Sequence, residues 1–242
     1  MPTLYLIPTG LGGLSIPAVL PPATLEVVRG LNCFVVENAK SARAFLKAAG
    51  HPLPLQALCI ETLDEHTPAS RISELLSLLD DGKDCGLMSE AGCPGVADPG
   101  AALVRAAHEA GVKIVPLVGP SALLLALMAS GMNGQHFAFQ GYLPVERGAR
   151  AKRLLELEAE SEERDLTQLF IEAPYRNNAL LAAIVNACRG DTALCLATDL
   201  TQPTQWVQTR SISSWKADPP ALDRRPTVFL LHRLRVPRNQ KQ

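Results

Sequence analysis

No stretch of this chain stays apolar for more than eight residues. The longest, Ala122 to Ala129, falls far short of the roughly 20 residues that cross a bilayer, so no membrane span is expected. The opening "MPTLYLIPTG" has neither a basic start nor a long apolar segment, so nothing marks it for secretion and the cytoplasm is the expected compartment. Six cysteines (Cys33, Cys59, Cys85, Cys93, Cys188 and Cys195) form no C-x-x-C pair and have no histidine pair beside them. That spacing argues against a zinc site, and they are expected to be reduced, buried apolar residues, with no metal bound. The phosphate-binding runs G-x-x-x-x-G-K-[ST] and G-x-G-x-x-G are missing, "GLGG" at 10–13 being a weak echo, which counts against ATP and NAD. The five histidines stand in no arrangement with Ser or Cys that suggests a hydrolytic triad. Aromatic residues make up only 5% of the chain, too few for a base-stacking platform.

What remains is an ordinary globular chain of 242 residues, 47% hydrophobic, long enough for two small domains. "TLYLIPTG", "NCFVVENA", "ALCIETL" and "DCGLMSE" read as short strands running into turns. Helical patterns lie between them: "TLEVVRGL" with Thr24 as N-cap, "SARAFLKAAG" with Ser41 as cap and Gly50 as stop, and "SRISELLSLLDDG" from Ser70. This alternation predicts an α/β layer with a largely parallel sheet. Further on, Asp98 and Pro99 predict a helix to about Ala110, ended by Gly111. A buried strand over 112–117 follows, then a helix from Pro120 or Ser121 that is apolar all round and belongs inside or between domains. Beyond Gly131, strands outnumber helices, which predicts a mixed sheet. The expected domains are 1–118 and 119–242.

"GLMSEAGCPGVADPG", residues 86–100, begins as a strand and then loses its side chains. In an open parallel sheet, ligands collect beyond the C-terminal strand ends. Gly92 and Gly95 let a ligand approach the backbone or accept positive φ, and Ala91 and Ala97 keep the walls thin. A tight turn followed by a capped helix would account for the same residues, but "LVGPSA" and "LIPTG" supply two more bare strand ends in the same domain. Three such ends can line one crevice. Charge is also unevenly placed: the net charge is −1, yet "RGARAKR" at 147–153 holds four cations and residues 224–242 hold six, with no acid in either.

In this order and spacing, "GLMSEAGCPGVADPG", "VPLVGPSALLLAL" and "FQGYLP" resemble the tetrapyrrole methylase superfamily of S-adenosylmethionine-dependent methyltransferases. Within it the chain is most similar to the bacterial small-subunit ribosomal RNA ribose 2'-O-methyltransferase branch. The likeness runs from "IPTGLGG" through "FVVENAKSARAFL" and "IEAPYRNNALLAAI" to "LATDLTQPTQ". It implies a two-domain α/β fold of the tetrapyrrole-methylase type, with a largely parallel N-terminal sheet, a mixed C-terminal sheet and S-adenosylmethionine in the cleft between domains. It also implies a homodimer acting on ribosomal RNA or the small ribosomal subunit. Carried onto this chain, the cofactor lies against Ser89, Glu90, Ala91, Gly92, Pro94 and Asp98. Gly119, Pro120 and Ser121 form a second wall, Ile171, Glu172 and Ala173 come from the second domain, and Gly10 sits at the cleft floor.

Methyl transfer to a ribose hydroxyl needs collinear positioning and a group to take the proton. Glu37, at a strand end, is the preferred acceptor-side carboxylate. Glu90 is expected either to hold the cofactor's ammonium or to act as base, Asp98 to cap a helix, and Asp199 and Arg176 to stand at strand ends of the second domain. Arg147, Arg150, Lys152 and Arg153 are the expected phosphate contacts, with Arg224 and Arg225 weaker. The chain departs from the branch at Asn38, where relatives carry Asp, and at "TDLTQPTQ", 198–205, where they carry a charged run; the C-terminal module of longer members is also expected to be absent. These departures keep two other readings open: a methyltransferase acting on a tetrapyrrole or other small acceptor, and a cofactor-binding regulator without catalysis.

Overall fold

The computed structural model describes residues 2–12, 15–79 and 82–234. Gly13 of "GLGG", Asp80 and Asp81 at the end of the third helical pattern, and the tail cations Arg235, Arg238 and Lys241 lie outside them. The chain forms two compact units, 1–121 and 122–242.

In the first unit, β1 (Thr3–Ile7), β2 (Cys33–Val36), β3 (Cys59–Thr62), β4 (Cys85–Met88) and β5 (Lys113–Pro116) make one sheet in the order β3-β2-β4-β1-β5. Every pair is parallel, with Leu4 beside both Cys85 and Ile114. Its helices are α1 (Ile16–Val19), α2 (Pro22–Gly30), α3 (Ala39–Ala48), α4 (Arg71–Ser77) and α5 (Ala101–Glu109). A parallel sheet needs cover on both faces, and two apolar clusters supply it. One holds Ile7, Val28, Phe34 and Leu46, the other Leu4, Val35, Leu75, Leu87 and Leu103. Gly86 lets β4 run under this packing, since a Cβ there would stand 2.4 Å from Ile7 Cδ1.

Three helix starts differ from the sequence expectation. The N-cap of α3 is Asn38, whose Oδ1 accepts from the backbone N–H of Lys40 and Ser41, and Ser41 is already helical. Thr24 lies inside α2, and its hydroxyl donates to the Val118 carbonyl at 2.8 Å, tying the helix to the strand-end segment instead of capping it. Asp98 does not cap α5. Gly100 precedes that helix at φ 127°, a turn that moves the start to Ala101, and no side chain caps it.

In the second unit, β6 (Phe137–Tyr142), β7 (Thr167–Ile171), β8 (Ala193–Thr198), β9 (Trp206–Ser211) and β10 (Thr227–His232) form a mixed sheet in the order β6-β7-β10-β8-β9. Only β6 and β7 pair in parallel. The helices are α6 (Ala122–Ser130), α7 (Arg147–Arg164), α8 (Asn177–Ala187) and α9 (Ile212–Ala217). Phe170 stacks on Phe229, and Trp215 is buried with its indole N–H donating to the Leu194 carbonyl. The short α9, absent from the sequence reading, is fixed by that tryptophan and by the Ser211 cap. The all-apolar α6 is not enclosed by the chain as expected: Ala126 and Leu127 are buried, but Leu124 and Met128 face solvent. Among the described residues no helix is long and apolar enough to cross a membrane.

Candidate functional site

The site builds from the order of the first sheet. Because β4 is inserted between β2 and β1, and β5 adds on the far side of β1, the C-terminal ends of β2, β4, β1 and β5 stand side by side. The segments leaving those ends are stitched together mainly by main-chain groups. Thr9 N–H donates to the Gly92 carbonyl at 2.8 Å, its hydroxyl to the Ser89 carbonyl at 3.4 Å, and Glu37 N–H to the Met88 carbonyl at 3.1 Å. The Cys93 thiol donates to the Pro120 carbonyl at 3.5 Å, joining the loop after β4 to the turn after β5.

Two glycines make this convergence feasible. Gly92 sits at φ 74°, where any residue with a side chain is strained, although a Cβ there would only touch Leu11 Cδ2 at 3.4 Å. At Gly119 a Cβ would lie 2.3 Å from Pro8 Cγ and 2.8 Å from Leu20 Cδ2, so the β1 and β5 ends can approach only because no side chain intervenes. Gly95 and Ala97 also take positive φ, at 76° and 65°.

Three carboxylates gather at this end of the sheet. Glu37 Oε2 accepts the Glu90 N–H at 2.9 Å, which fixes the Glu37 side chain over the loop. The Asp98 carboxyl is pushed up to about 6, first by burial, then by the Glu37 charge; a hydrogen bond from Ser89 opposes the rise and the Glu90 charge adds to it. Freed from capping α5, Asp98 is thus an acid held among acids. Burial and the Asp98 charge push the Cys93 thiol up as well, which keeps it protonated and unreactive.

Of the residues singled out from the sequence, the first unit therefore brings together Glu37, Ser89, Glu90, Ala91, Gly92, Pro94, Asp98, Gly119 and Pro120 around these strand ends, with Gly10 and Ser121 continuing the same segments. Thr9, which the sequence reading passed over, is the buried link between two of those segments. In hindsight its place between two strand-end punctuators, Pro8 and Gly10, was the available signal.

Ile171, Glu172 and Ala173 stand at the end of β7 in the second unit. Glu172 Oε1 takes the Ala173 N–H at 2.8 Å and Arg176 Nη2 at 2.7 Å, while Glu172 Oε2 and Arg176 Nε are buried without partners. Asp199, at φ 51° after β8, holds Arg225 Nε at 2.8 Å and the Thr204 hydroxyl at 2.9 Å. Thr201 N–H donates to Gln205 Oε1, so the "TDLTQPTQ" segment is a closed, self-bonded turn. The cations of α7 divide: Arg153 is bound to Glu156, Glu160 and Gln140, Arg147 and Lys152 are exposed, and Arg150 is buried. Among the described residues no group of three or more His, Cys, Asp or Glu could hold a metal ion.

No family model matches the chain. It is 30% identical over 234 residues to the protein named ribosomal RNA small subunit methyltransferase I of Vibrio cholerae, covering 96% of this chain and 77% of that one. The protein of the same name from Mesorhizobium japonicum is 33% identical over 211 residues, covering 87% of this chain and 68% of that one. Among solved structures, the methyltransferase CobJ matches in fold with a TM-score of 0.63 at 20% identity, over 95% of this chain and 92% of that one.

Proposed function

The chain belongs to the ribosomal RNA small subunit methyltransferase I family, and we propose that it moves the methyl group of S-adenosylmethionine onto a ribose 2'-hydroxyl of small-subunit ribosomal RNA. The observation that carries the cofactor reading is the acidic cluster of Glu37, Glu90 and Asp98, set beside a backbone cradle in which Gly119 leaves no room for a side chain and Gly92 takes positive φ. An acid whose proton affinity is raised by two neighbouring carboxylates suits a cationic ligand, and S-adenosylmethionine carries both a sulfonium and an ammonium. The backbone carbonyls and N–H groups of 89–98 and 119–121 would hold its nucleoside and amino-acid parts.

When bound, the cofactor would supply a methyl on a positively charged sulfur, with a neutral thioether as the leaving group for in-line attack by the ribose oxygen. The protein's share is orientation, worth on the order of 7–11 kcal/mol in the best intramolecular cases. Glu37 takes the hydroxyl proton as the oxygen–carbon bond forms; its Oε2 is pinned by the Glu90 N–H, which holds the carboxylate in one direction. Glu90 and Asp98 balance the cofactor's positive charge. Asn38, the departure that weighed toward lost catalysis, is accounted for by its cap on α3, a task that aspartate performs equally well. The exposed cations Arg147 and Lys152 contact RNA phosphates, and the enzyme works in the cytoplasm as a homodimer.

Calorimetry with S-adenosylmethionine comes first, and an absence of binding would end the reading. Labelled methyl transfer to small subunits from cells lacking this protein, followed by nuclease digestion, should then yield a 2'-O-methylated dinucleotide resistant to cleavage. Label confined to a base, or to a small-molecule fraction, would replace the ribose acceptor.

A further inference from the structure

Arg150 is out of place for a surface cation. It closes the first turn of α7 and is only 7% exposed, yet among the described residues its Nε has no hydrogen-bond partner and no carboxylate stands within ion-pair distance of its guanidinium. Glu146, whose carboxyl is lowered first by the backbone N–H groups of Ala149 and Gly148 and only more weakly by the Arg150 charge, spends both oxygens on those N–H groups at the start of the same helix. Buried charges are otherwise paired, because an unmatched one forfeits its hydration. Arg150 lines a cavity of about 440 Å³ between α7 and α8, within the second unit. Arg147 from α7 and Asn186 from α8 line it too, and Ala151, Ala179, Ala182 and Ala183 add only small side chains. The volume is far beyond that of one or two waters, roughly 30 Å³ each, and lies in the range of small-ligand sites.

From the unmatched guanidinium and the empty alanine walls, we infer that the α7–α8 groove is a phosphate pocket. Arg150 and Arg147 receive the phosphate oxygens, Asn186 gives a further donor, and the alanine walls take the compact sugar or alkyl part attached to the phosphate. Arginine is suited to this because its planar fork offers several N–H groups to one oxyanion. Arg153 takes no part, since its guanidinium is already committed to Glu156, Glu160 and Gln140. The phosphate is either a diester of the RNA acceptor or a free phosphate ester. Only the RNA source rests on the acceptor reading given above; the pocket does not.

Thermal unfolding of the full chain, with inorganic phosphate replacing chloride at constant ionic strength, tests the pocket. Phosphate should raise Tm, and the rise should vanish in Arg150→Met and in Ala182→Leu, which fills the groove while leaving both arginines. Without phosphate, Arg150→Met should unfold no earlier than the parent, since it removes an unpaired buried charge. A phosphate rise that survives in Ala182→Leu, or no rise in the parent, overturns the proposal, and so does an Arg150→Met chain that is less stable without phosphate while still responding to it. Fluorescence anisotropy with a single-stranded RNA separates the sources: Ala182→Leu should weaken RNA about tenfold, the worth of one charge-assisted contact, if the phosphate belongs to RNA. Unchanged RNA affinity with a lost phosphate response assigns the pocket to a free phosphate ester. S-adenosylmethionine affinity, retained in Ala182→Leu, keeps failure of the pocket distinct from failure of the methyltransferase reading.

Discussion

Asp98 carries the clearest chemical consequence at the scale of single residues. With its carboxyl raised to about 6 by burial and by Glu37 and Glu90, the free protein holds a proton there at pH 5. A cationic ligand favours the ionised form, so binding between about pH 4 and 6 must release that proton, and affinity must climb with pH across this window and level off above it. Calorimetry of S-adenosylmethionine in two buffers of different ionisation heat should show the release at pH 5 and its disappearance at pH 7.5. Asp98→Asn should flatten the profile; an unchanged slope in that variant would remove Asp98 from the site. The same raised value sets the sign for stability. The ionised form is the disfavoured one in the folded state, so the penalty is absent below about pH 4 and complete above about 6. Gly92 tests the backbone cradle in a different way. At φ 74°, with Leu11 3.4 Å from a new Cβ, Gly92→Ala should cost on the order of 1–2 kcal/mol and lower both Tm and cofactor affinity. Equal affinity would mean that the Gly92 turn does not touch the ligand.

Among the elements, helix starts separate what the sequence disclosed from what it concealed. The strands and most helices were legible because short apolar runs ended in Pro, Gly, Asn or Ser, and their alternation by itself specified a parallel layer. The caps were not. "NAKS" and "ADPG" each offer two cap candidates within a few residues, Asn38 or Ser41 and Asp98 or Gly100, and which one serves depends on where the preceding strand releases the chain. Asn38 wins at α3 because β2 ends at Val36 and the Glu37 N–H still bonds to β4, leaving Asn38 as the first residue free to turn. At α5 the close approach of Gly100 to Leu87 fixes the turn, and Asp98 is left to the acidic cluster. If this account is right, Asn38→Ala should cost about 1 kcal/mol, the usual worth of an N-cap, while Ser41→Ala should cost much less. Urea unfolding of the two variants decides it, and equal losses would return the cap to Ser41. The α7–α8 groove was illegible for a related reason: the "RGARAKR" run shows four cations, but only the tertiary packing reveals that Arg150 is buried, Arg153 paired with α7 and β6 groups, and Arg147 exposed.

On the whole-molecule scale the sequence disclosed composition and order but not which surfaces stay uncovered. An apolar run such as Ala122 to Ala129 suggests enclosure, and periodicity cannot tell a buried helix from one that a second copy covers. In the single chain Leu124 is 52% exposed and Met128 80%, one turn apart on the same face of α6, while Ala126 and Leu127 point into the second unit. A soluble chain rarely leaves two large apolar side chains together in water, and the commonest way to cover such a face is a two-fold contact with itself. The homodimer proposed for this enzyme therefore predicts a specific dependence. Sedimentation of the parent at micromolar concentration should give twice the mass of one chain, and a chain carrying both Leu124→Asp and Met128→Asp should give the mass of one. Both positions are on the exposed side, so at a chain concentration well below the dimer's Kd circular dichroism should be unchanged and stability altered by less than about 0.5 kcal/mol. A parent that sediments as a single chain, or a double variant that stays paired, would move the interface elsewhere or remove it. S-adenosylmethionine calorimetry on that variant then asks whether pairing matters for the site: unchanged affinity would assign α6 to assembly alone, while lost affinity in a folded single chain would tie cofactor binding to the second copy.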